Sequence, residues 1–266
     1  MNPFFGLFPA AGVATRRRWL ARAAATLVAP VAPAFAQAAE VRVAVAANFA
    51  APMQQIAAAF ERDTGHRAVV AVGSTGRFYA QIAHGAPFQV FLSADDETPA
   101  RLEREGLAVA GTRFTYALGR LALWSAAPGL VDARGAVLQA PPPGRVAIAE
   151  PKLAPYGAAA LEVMERLGVR AALAPRLVMG ENIAQAHQFV ASGNAVMGFV
   201  AWAQVAREGR IASGSGWLVP AELHTPLKQD AVLLKAGAGQ PAAIALLDYL
   251  RGPAARAIID AAGYDR

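Results

Sequence analysis

The sequence predicts an α/β protein of two lobes, each with a mainly parallel sheet flanked by helices, joined by two crossing segments. Strand-like and helix-like segments alternate along most of the 266 residues, a pattern typical of parallel sheets. Two apolar runs, at residues 114–124 and 229–235, are long enough to pass from one lobe to the other. Two connections imply a cleft between the lobes, and such clefts are preferred sites for small ligands.

The spacing of apolar residues and the position of glycines define the individual elements. Met53, Ile56 and Phe60 keep helical spacing, and Gly65 is expected to end that helix. A loop-rich stretch, residues 127–144, separates the two halves of the pattern. The predicted strands are 41–47, 68–72, 88–93, 146–149 and 196–200, and the further helices are 77–84, 97–105, 158–167, 183–192 and 202–208, with two more ending near residue 262.

The N-terminus has the order of charged, apolar and small residues that is typical of a secretory signal. Residues 15–20 are arginine-rich, residues 23–35 are apolar, and residues 34–36 read Ala-Phe-Ala, so we expect cleavage after Ala36. The arginine block resembles the twin-arginine export motif, although an arginine-rich Sec signal fits as well. The apolar stretch is too short to span a membrane. We therefore predict a soluble periplasmic protein after removal of residues 1–36.

Charge and cysteine content exclude several classes of function. The formal net charge is +6, and removing Arg16, Arg17, Arg18 and Arg22 with the signal leaves +2. This small charge provides no basic patch for nucleic acid. The absence of cysteine excludes disulfides, zinc–thiolate sites and a cysteine nucleophile.

Two segments share an unusual pattern, in which an apolar strand ends at small polar residues and a helix follows. The first strand runs into Asn48, and the second runs into Ser74 and Thr75. Free N–H groups and the helix dipole make such positions suitable for an anion. Neither loop contains Lys, Arg, Cys or His, so the anion would be held by neutral donors. Asn48 as a helix cap, and Ser74 and Thr75 as a simple turn, remain open alternatives.

Four segments together resemble the periplasmic molybdate-binding proteins that serve ABC importers, over residues 41–264. This family has the type II periplasmic-binding-protein fold. The segments are Ala-Ala-Asn-Phe at 46–49, Gly-Ser-Thr-Gly at 73–76, Ala-Pro-Tyr-Gly at 154–157 and Glu-Asn-Ile at 181–183.

The resemblance implies which groups bind the oxyanion: the Asn48 side chain, a hydroxyl of the second segment, and the backbone N–H groups of Tyr156 and Ile183. The match for the hydroxyl donor falls on Thr75, where serine is more usual in the family, and at least one of Ser74 and Thr75 is expected to bind. The Tyr156 ring is expected only to form a wall of the cleft. Some family members donate a tyrosine hydroxyl at the position that corresponds to Ala201. We expect the Asn48 amide to compensate, because an amide offers more donors than a hydroxyl. Glu150, in the loop that leads to the third segment, and Glu181, in the fourth segment, are expected to turn away from the anion.

The implied organisation is a signal at 1–36, a first lobe at 37–120 plus 229–266, and a second lobe at 121–228. The protein would capture molybdate or tungstate in the cleft and deliver it to an inner-membrane ABC permease, as a monomer without a cofactor. Molybdenum would be held as molybdate through the same residues, with no direct bond from protein to metal. A receptor for another tetrahedral oxyanion, such as sulfate, is the alternative. A hydrolase with a Ser or Thr nucleophile is disfavoured, because no Gly-x-Ser-x-Gly motif surrounds Ser74.

Overall fold

The computed structural model describes residues 38–141 and 143–265, so the predicted export signal lies outside the described residues. Two five-stranded sheets and one two-stranded hairpin make up its strands. No helix in these two ranges is long and apolar enough to cross a membrane.

Strands and helices alternate as the sequence predicts. The strands are β1 (Glu40–Ala46), β2 (Arg67–Gly73), β3 (Val90–Leu92), β4 (Phe114–Gly119), β5 (Leu121–Ser125), β6 (Val146–Ala149), β7 (Leu177–Gly180), β8 (Met197–Ala201), β9 (Ala206–Arg207), β10 (Arg210–Ile211), β11 (Ser215–Leu218) and β12 (Leu227–Leu233). The helices are α1 (Ala50–Thr64), α2 (Thr75–Ala83), α3 (Glu97–Arg104), α4 (Pro155–Arg166), α5 (Arg170–Leu173), α6 (Ile183–Ala191), α7 (Trp202–Val205), α8 (Pro241–Arg251) and α9 (Pro253–Ala261).

Each large sheet has a single reversed strand, which confirms the prediction of mainly parallel sheets. The first sheet has the order β2-β1-β3-β12-β4, and only β12 runs against its neighbours. The second has the order β11-β5-β8-β6-β7, and only β5 is reversed. Because parallel strands share a direction, their carboxyl ends lie at one edge of each sheet.

Two segments of chain connect the lobes. Strand β4 belongs to the first sheet and β5 to the second, and Arg120 alone separates them. The predicted crossing at residues 114–124 is therefore correct. The chain returns through β12, which lies between β3 and β4 and begins two residues before the predicted return segment.

Both faces of the first sheet are buried. One face packs against α1, α8 and α9 through residues such as Met53, Ile56 and Leu246. The other face packs against α2 and α3 through Phe78 and Leu102. A further core surrounds the second sheet, and Ala46, Ala47 and Ala94 of the first lobe belong to it. The two lobes therefore share apolar contacts at the cleft.

Four short strands and one helix end differ from the sequence predictions. The predicted helix at 202–208 ends at Val205, because Glu208 (φ 52°) and Gly209 (φ 75°) turn the chain into the hairpin of β9 and β10. Strands β7 and β11 were not predicted. Each has only four residues and lies at the edge of the second sheet, where apolar alternation is too short to detect.

Gly157, in the first turn of α4, provides a test of how closely this helix packs on the second sheet. A Cβ at this position would collide with the Ala149 carbonyl group at the end of β6. Gly→Ala in an open helix interior is stabilising by about 1 kcal/mol. We expect Gly157→Ala instead to lower the free energy of unfolding by about 1–3 kcal/mol. Urea denaturation measures this change, with Ala158→Ser as the control, and a stabilised Gly157→Ala variant would contradict the packing.

Candidate functional site

A small cavity between the lobes brings together the beginnings of four helical segments. The 3₁₀ turn Ala47–Phe49 follows β1, α2 follows β2, α4 lies beyond β6, and α6 lies beyond β7. About 200 Å³ of space lies between the atoms that surround the cavity. All five predicted site residues contribute to its lining, which consists of Ala46, Ala47, Asn48, Gly73, Ser74, Thr75, Ala94, Ala154, Pro155, Tyr156, Asn182 and Ile183.

The local structure of α4 leaves one backbone donor at its start. Pro155 has no N–H group, and the N–H groups of Gly157 and Ala158 both donate to the Ala154 carbonyl. Tyr156 therefore carries the first N–H group of the helix, which has no carbonyl partner within it. This N–H group is the predicted donor from the third segment.

The start of α6 is arranged in the same way. Asn182 is the N-cap, and its side-chain oxygen accepts from the N–H groups of Ala184 and Gln185 at 3.0 and 3.1 Å. The Asn182 side chain accepts no hydrogen bond from Ile183. The Ile183 N–H group is the first of the helix, and Ile183 lines the cavity. Asn182 therefore caps the helix, and the adjacent Ile183 is left as the predicted backbone donor.

Ser74 has a buried hydroxyl group without a partner. Its backbone is extended, as at an N-cap, yet its hydroxyl makes no capping hydrogen bond. The side chain is 2% exposed, and Oγ has no hydrogen-bond partner within the described part of the chain. Because a buried polar atom without a partner costs free energy, this hydroxyl is suited to a ligand in the cavity that it lines.

The hydroxyl of Thr75 is already engaged on one side. Its oxygen accepts from the Ala94 N–H group at 3.0 Å and lies 3.3 Å from Ser93 Oγ. Ser93 Oγ donates to the Asp95 carboxylate at 3.0 Å, which leaves a lone pair facing Thr75. The Thr75 proton can therefore serve either Ser93 or a ligand, whereas Ser74 has no such competing partner.

Asn48 lines the cavity, but its side chain is used within the protein. The amide nitrogen donates to Gln229 Oε1 at 2.8 Å and to the Tyr264 hydroxyl at 3.2 Å. The expectation that this amide replaces a missing donor at Ala201 is therefore wrong, because both its N–H groups have protein acceptors. The alternative of a helix cap is also wrong, since no side-chain cap is present at the 3₁₀ turn or at α1. The backbone N–H group in the first helical turn is what Asn48 can offer a ligand.

Tyr156 does more than form a wall. Its ring is 1% exposed, and its hydroxyl accepts a hydrogen bond of 3.1 Å from Gln229 Nε2. Burial raises the pKa of this hydroxyl well above its usual value, so the group stays neutral. The expectation that the side chain serves only as a wall is corrected by this bond, which joins the two lobes.

Sequence reasoning missed the polar layer behind the cavity. This layer consists of three buried residues, Gln229, Tyr116 and Tyr264, none of which lines the cavity. Gln229 and Tyr264 accept hydrogen bonds from the Asn48 amide, and the Tyr116 hydroxyl lies within hydrogen-bond distance of Gln229. The polar pair Gln229–Asp230 within an apolar strand was a signal that could have indicated Gln229. Nothing in the local sequence indicated Tyr264, because its role arises from long-range packing.

Among the described residues, none that lines this cavity carries a charged side chain. Outside it, Arg77 of α2 forms an ion pair with Glu181, so their charges offset each other across the lobes. The Glu150 carboxylate accepts from the Lys152 N–H group at 3.2 Å, within its own loop. A larger adjoining cleft, of about 880 Å³, is lined by four acidic residues and one cation, so its net negative charge makes it a poor environment for an anion. These residues are Asp95, Asp96, Glu97, Glu162 and Lys152.

Comparisons with known proteins agree with this geometry. A family model for bacterial extracellular solute-binding proteins matches residues 41–265. The molybdate-binding protein ModA of Azotobacter vinelandii is 57% identical over 245 residues, covering 92% of this chain and 97% of the relative. ModA of Rhodobacter capsulatus is 55% identical over 230 residues, covering 86% and 89%.

A solved structure extends this agreement to the fold. The periplasmic molybdate-binding protein of Azotobacter vinelandii superposes with a TM-score of 0.82 at 44% identity, covering 85% of this chain and 99% of that one. These relatives are named as binding proteins, which confirms the prediction of a binding protein rather than an enzyme. The chain therefore belongs to the bacterial extracellular solute-binding protein family, in the group that contains the ModA molybdate-binding proteins.

Proposed function

We propose that this protein captures molybdate, and with similar affinity tungstate, in the cavity between its lobes and delivers it to an ABC importer. The observation that carries the proposal is the Ser74 hydroxyl, which is buried without a partner beside a cavity lined only by uncharged residues. The names of its close relatives support the choice of molybdate among anions. Molybdenum is bound as molybdate, through hydrogen bonds to its oxygens.

The proposed ligand set consists of neutral donors from both lobes. Ser74 and Thr75 contribute hydroxyl groups, and Asn48, Tyr156 and Ile183 contribute backbone N–H groups at the starts of helical segments. The partial positive charge at each helix start favours a dianion without a cationic side chain. Because several helix dipoles supply the partial positive charge, no single group has to neutralise the dianion.

This donor set also explains selectivity against other tetrahedral anions. Phosphate keeps a proton near neutral pH, and its O–H group would need an acceptor, which a set of donors does not provide. Sulfate carries the same charge as molybdate but is smaller. A cavity of fixed size leaves sulfate with longer hydrogen bonds, whereas tungstate fits like molybdate.

The remaining parts of the proposal concern organisation and location. Residues 37–120 with 229–266 form the first lobe and residues 121–228 the second, after an export signal at residues 1–36. The mature protein acts as a periplasmic monomer that presents its closed form to an inner-membrane permease. Three contacts between the lobes support a closed form: the Gly76 N–H group with the Leu153 carbonyl at 2.9 Å, Arg77 with Glu181, and Gln229 with Tyr156.

Ligand class is tested by calorimetry of the mature chain with molybdate, tungstate, sulfate and phosphate. We expect tight binding of the first two and much weaker binding of the others. Sulfate binding as tight as molybdate binding would establish the alternative, a sulfate receptor.

The neutral-donor site is tested by Ser74→Ala. The loss of one hydrogen bond to a charged ligand, about 1.5–3 kcal/mol, should weaken molybdate binding roughly ten- to hundredfold. Without ligand, the thermal midpoint should not fall, because the variant removes a buried hydroxyl that has no partner. Thr75→Ala should lower both affinity and stability, since Ala94 N–H loses its acceptor.

Ser125→Ala is the matched control for this pair, because the Ser125 hydroxyl is buried and bonds to the Val196 carbonyl within the second lobe. Its affinity for molybdate should equal that of the unaltered protein. Unchanged affinity in Ser74→Ala, or a strong decrease of affinity with non-competing salt, would favour a cationic clamp instead.

Export is tested by changing Arg16 and Arg17 to Lys. If the twin-arginine route is used, the variant should remain in the cytoplasm, as measured by cell fractionation. Normal periplasmic accumulation would identify the Sec route. Mass spectrometry of the mature protein should give an N-terminus at Gln37.

A further inference from the structure

One fully buried side chain connects the two lobes directly behind the cavity. Gln229, on the crossing strand β12, is 0% exposed. Its Oε1 accepts from Asn48 Nδ2 at 2.8 Å, and its Nε2 donates to the Tyr156 hydroxyl at 3.1 Å. Asn48 belongs to the first lobe and Tyr156 to the second, and both line the cavity. A single amide therefore connects two of the proposed ligand segments.

The directions of these hydrogen bonds follow from one contact. The Tyr264 hydroxyl lies 2.7 Å from the Asn48 carbonyl, which can only accept, so the tyrosine proton is used there. The Asn48 side-chain atom that faces Tyr264 must then be its nitrogen, which also faces Gln229. Gln229 in turn presents its oxygen to Asn48 and its nitrogen to Tyr156.

The two tyrosines of this layer, Tyr116 and Tyr264, are neutral. The Tyr116 hydroxyl lies 3.0 Å from Gln229 Oε1 and 2.9 Å from the Ser93 carbonyl, and its proton serves one or the other. Burial raises the pKa of Tyr116 and of Tyr264 above the usual value, so both remain protonated. The layer therefore adds no charge beside the anion, and its hydrogen bonds have a defined direction.

Two features of the backbone make room for this arrangement. The pairing of β12 with β4 shifts register between Gln229 and Asp230, and both of these successive residues are buried. Gly119, the last residue of β4, lies against the bond itself. A Cβ there would collide with the Tyr156 hydroxyl and with Gln229 Nε2. Glycine at this position thus permits the contact between the lobes.

We propose that Gln229 is a positioning residue that sets the distance between the Asn48 and Tyr156 segments, and thereby the size of the anion cavity. The proposal rests on the proposed function. Gln229 does not touch the anion; it acts through the two residues that do. Selection by size requires a fixed spacing of donors from the two lobes, and the directional bond to Tyr156 provides it. A hydrogen bond between the lobes strengthens anion binding only if it forms in the closed state and is broken in the open state.

The test is a double-mutant cycle with Gln229→Met and Tyr156→Phe, read out by calorimetry with molybdate and with sulfate. Tyr156→Phe keeps the ring and the backbone N–H group but leaves Gln229 Nε2 without its acceptor. We expect molybdate to bind about tenfold more weakly to each single variant, as for loss of one buried hydrogen bond. The double variant should bind no more weakly than Gln229→Met alone, because both changes remove the same bond.

The ratio of molybdate to sulfate affinity separates positioning from a merely structural role. It should fall in both single variants, because a loosened spacing no longer disfavours the smaller anion. Gln89→Met is the matched control: Gln89 is a first-lobe glutamine whose amide oxygen accepts from Arg42 N–H at 2.9 Å, a hydrogen bond within the first lobe. This variant should keep both the affinity and the ratio.

Each outcome is decisive for one of the two proposals. Unchanged affinity and ratio in Tyr156→Phe would overturn the role of Gln229 and leave molybdate binding intact. Full additivity in the double variant would also overturn it. If Gln229→Met does not fold, the affinity and the ratio of Tyr156→Phe decide alone. Failure of the unaltered protein to bind molybdate would overturn the proposed function, and the positioning role with it.

Discussion

The structure depends on one constraint: a helix that begins in a buried place leaves N–H groups that need acceptors. Here four helical segments begin around one cavity, and local caps serve only some of these groups, as Asn182 does at α6. An anion placed there would supply acceptors to all four segments at once. The same constraint explains why the lining has no cations, because backbone dipoles already favour negative charge.

The described residues that line the cavity are uncharged, and the nearby cation of α2 is paired. Arg77 of α2 is outside the cavity lining and is bound to Glu181 across the lobes, and the polar layer behind the cavity consists of amides and protonated tyrosines. A cation in the lining would bind sulfate and molybdate alike, since both are dianions. Directional neutral donors instead make binding sensitive to the positions of the oxygens, which differ with the size of the ion.

Much of the fold, and the composition of the cavity lining, could be predicted from the sequence, because both depend on local patterns. Apolar strands that end at Asn48 and Ser74 place these residues at helix starts, and the structure brings all five predicted residues to one cavity. The function of individual atoms could not be predicted. Whether the Asn48 amide is free depends on Gln229 and Tyr264, which lie 181 and 216 residues away in sequence. Such partners are set by the packing of the whole chain.

The position of β12 in the middle of the first sheet has a consequence for the order of folding. β4 pairs only with β12 within this sheet, so the residues of β4 have no strand partner until residues 227–233 have been synthesised. The first lobe therefore depends on contacts of very high sequence separation, which are slow to form. The second sheet, made of strands between residues 121 and 218, is complete earlier. A nascent chain would thus reach the native topology of the first sheet only after β12 has been synthesised.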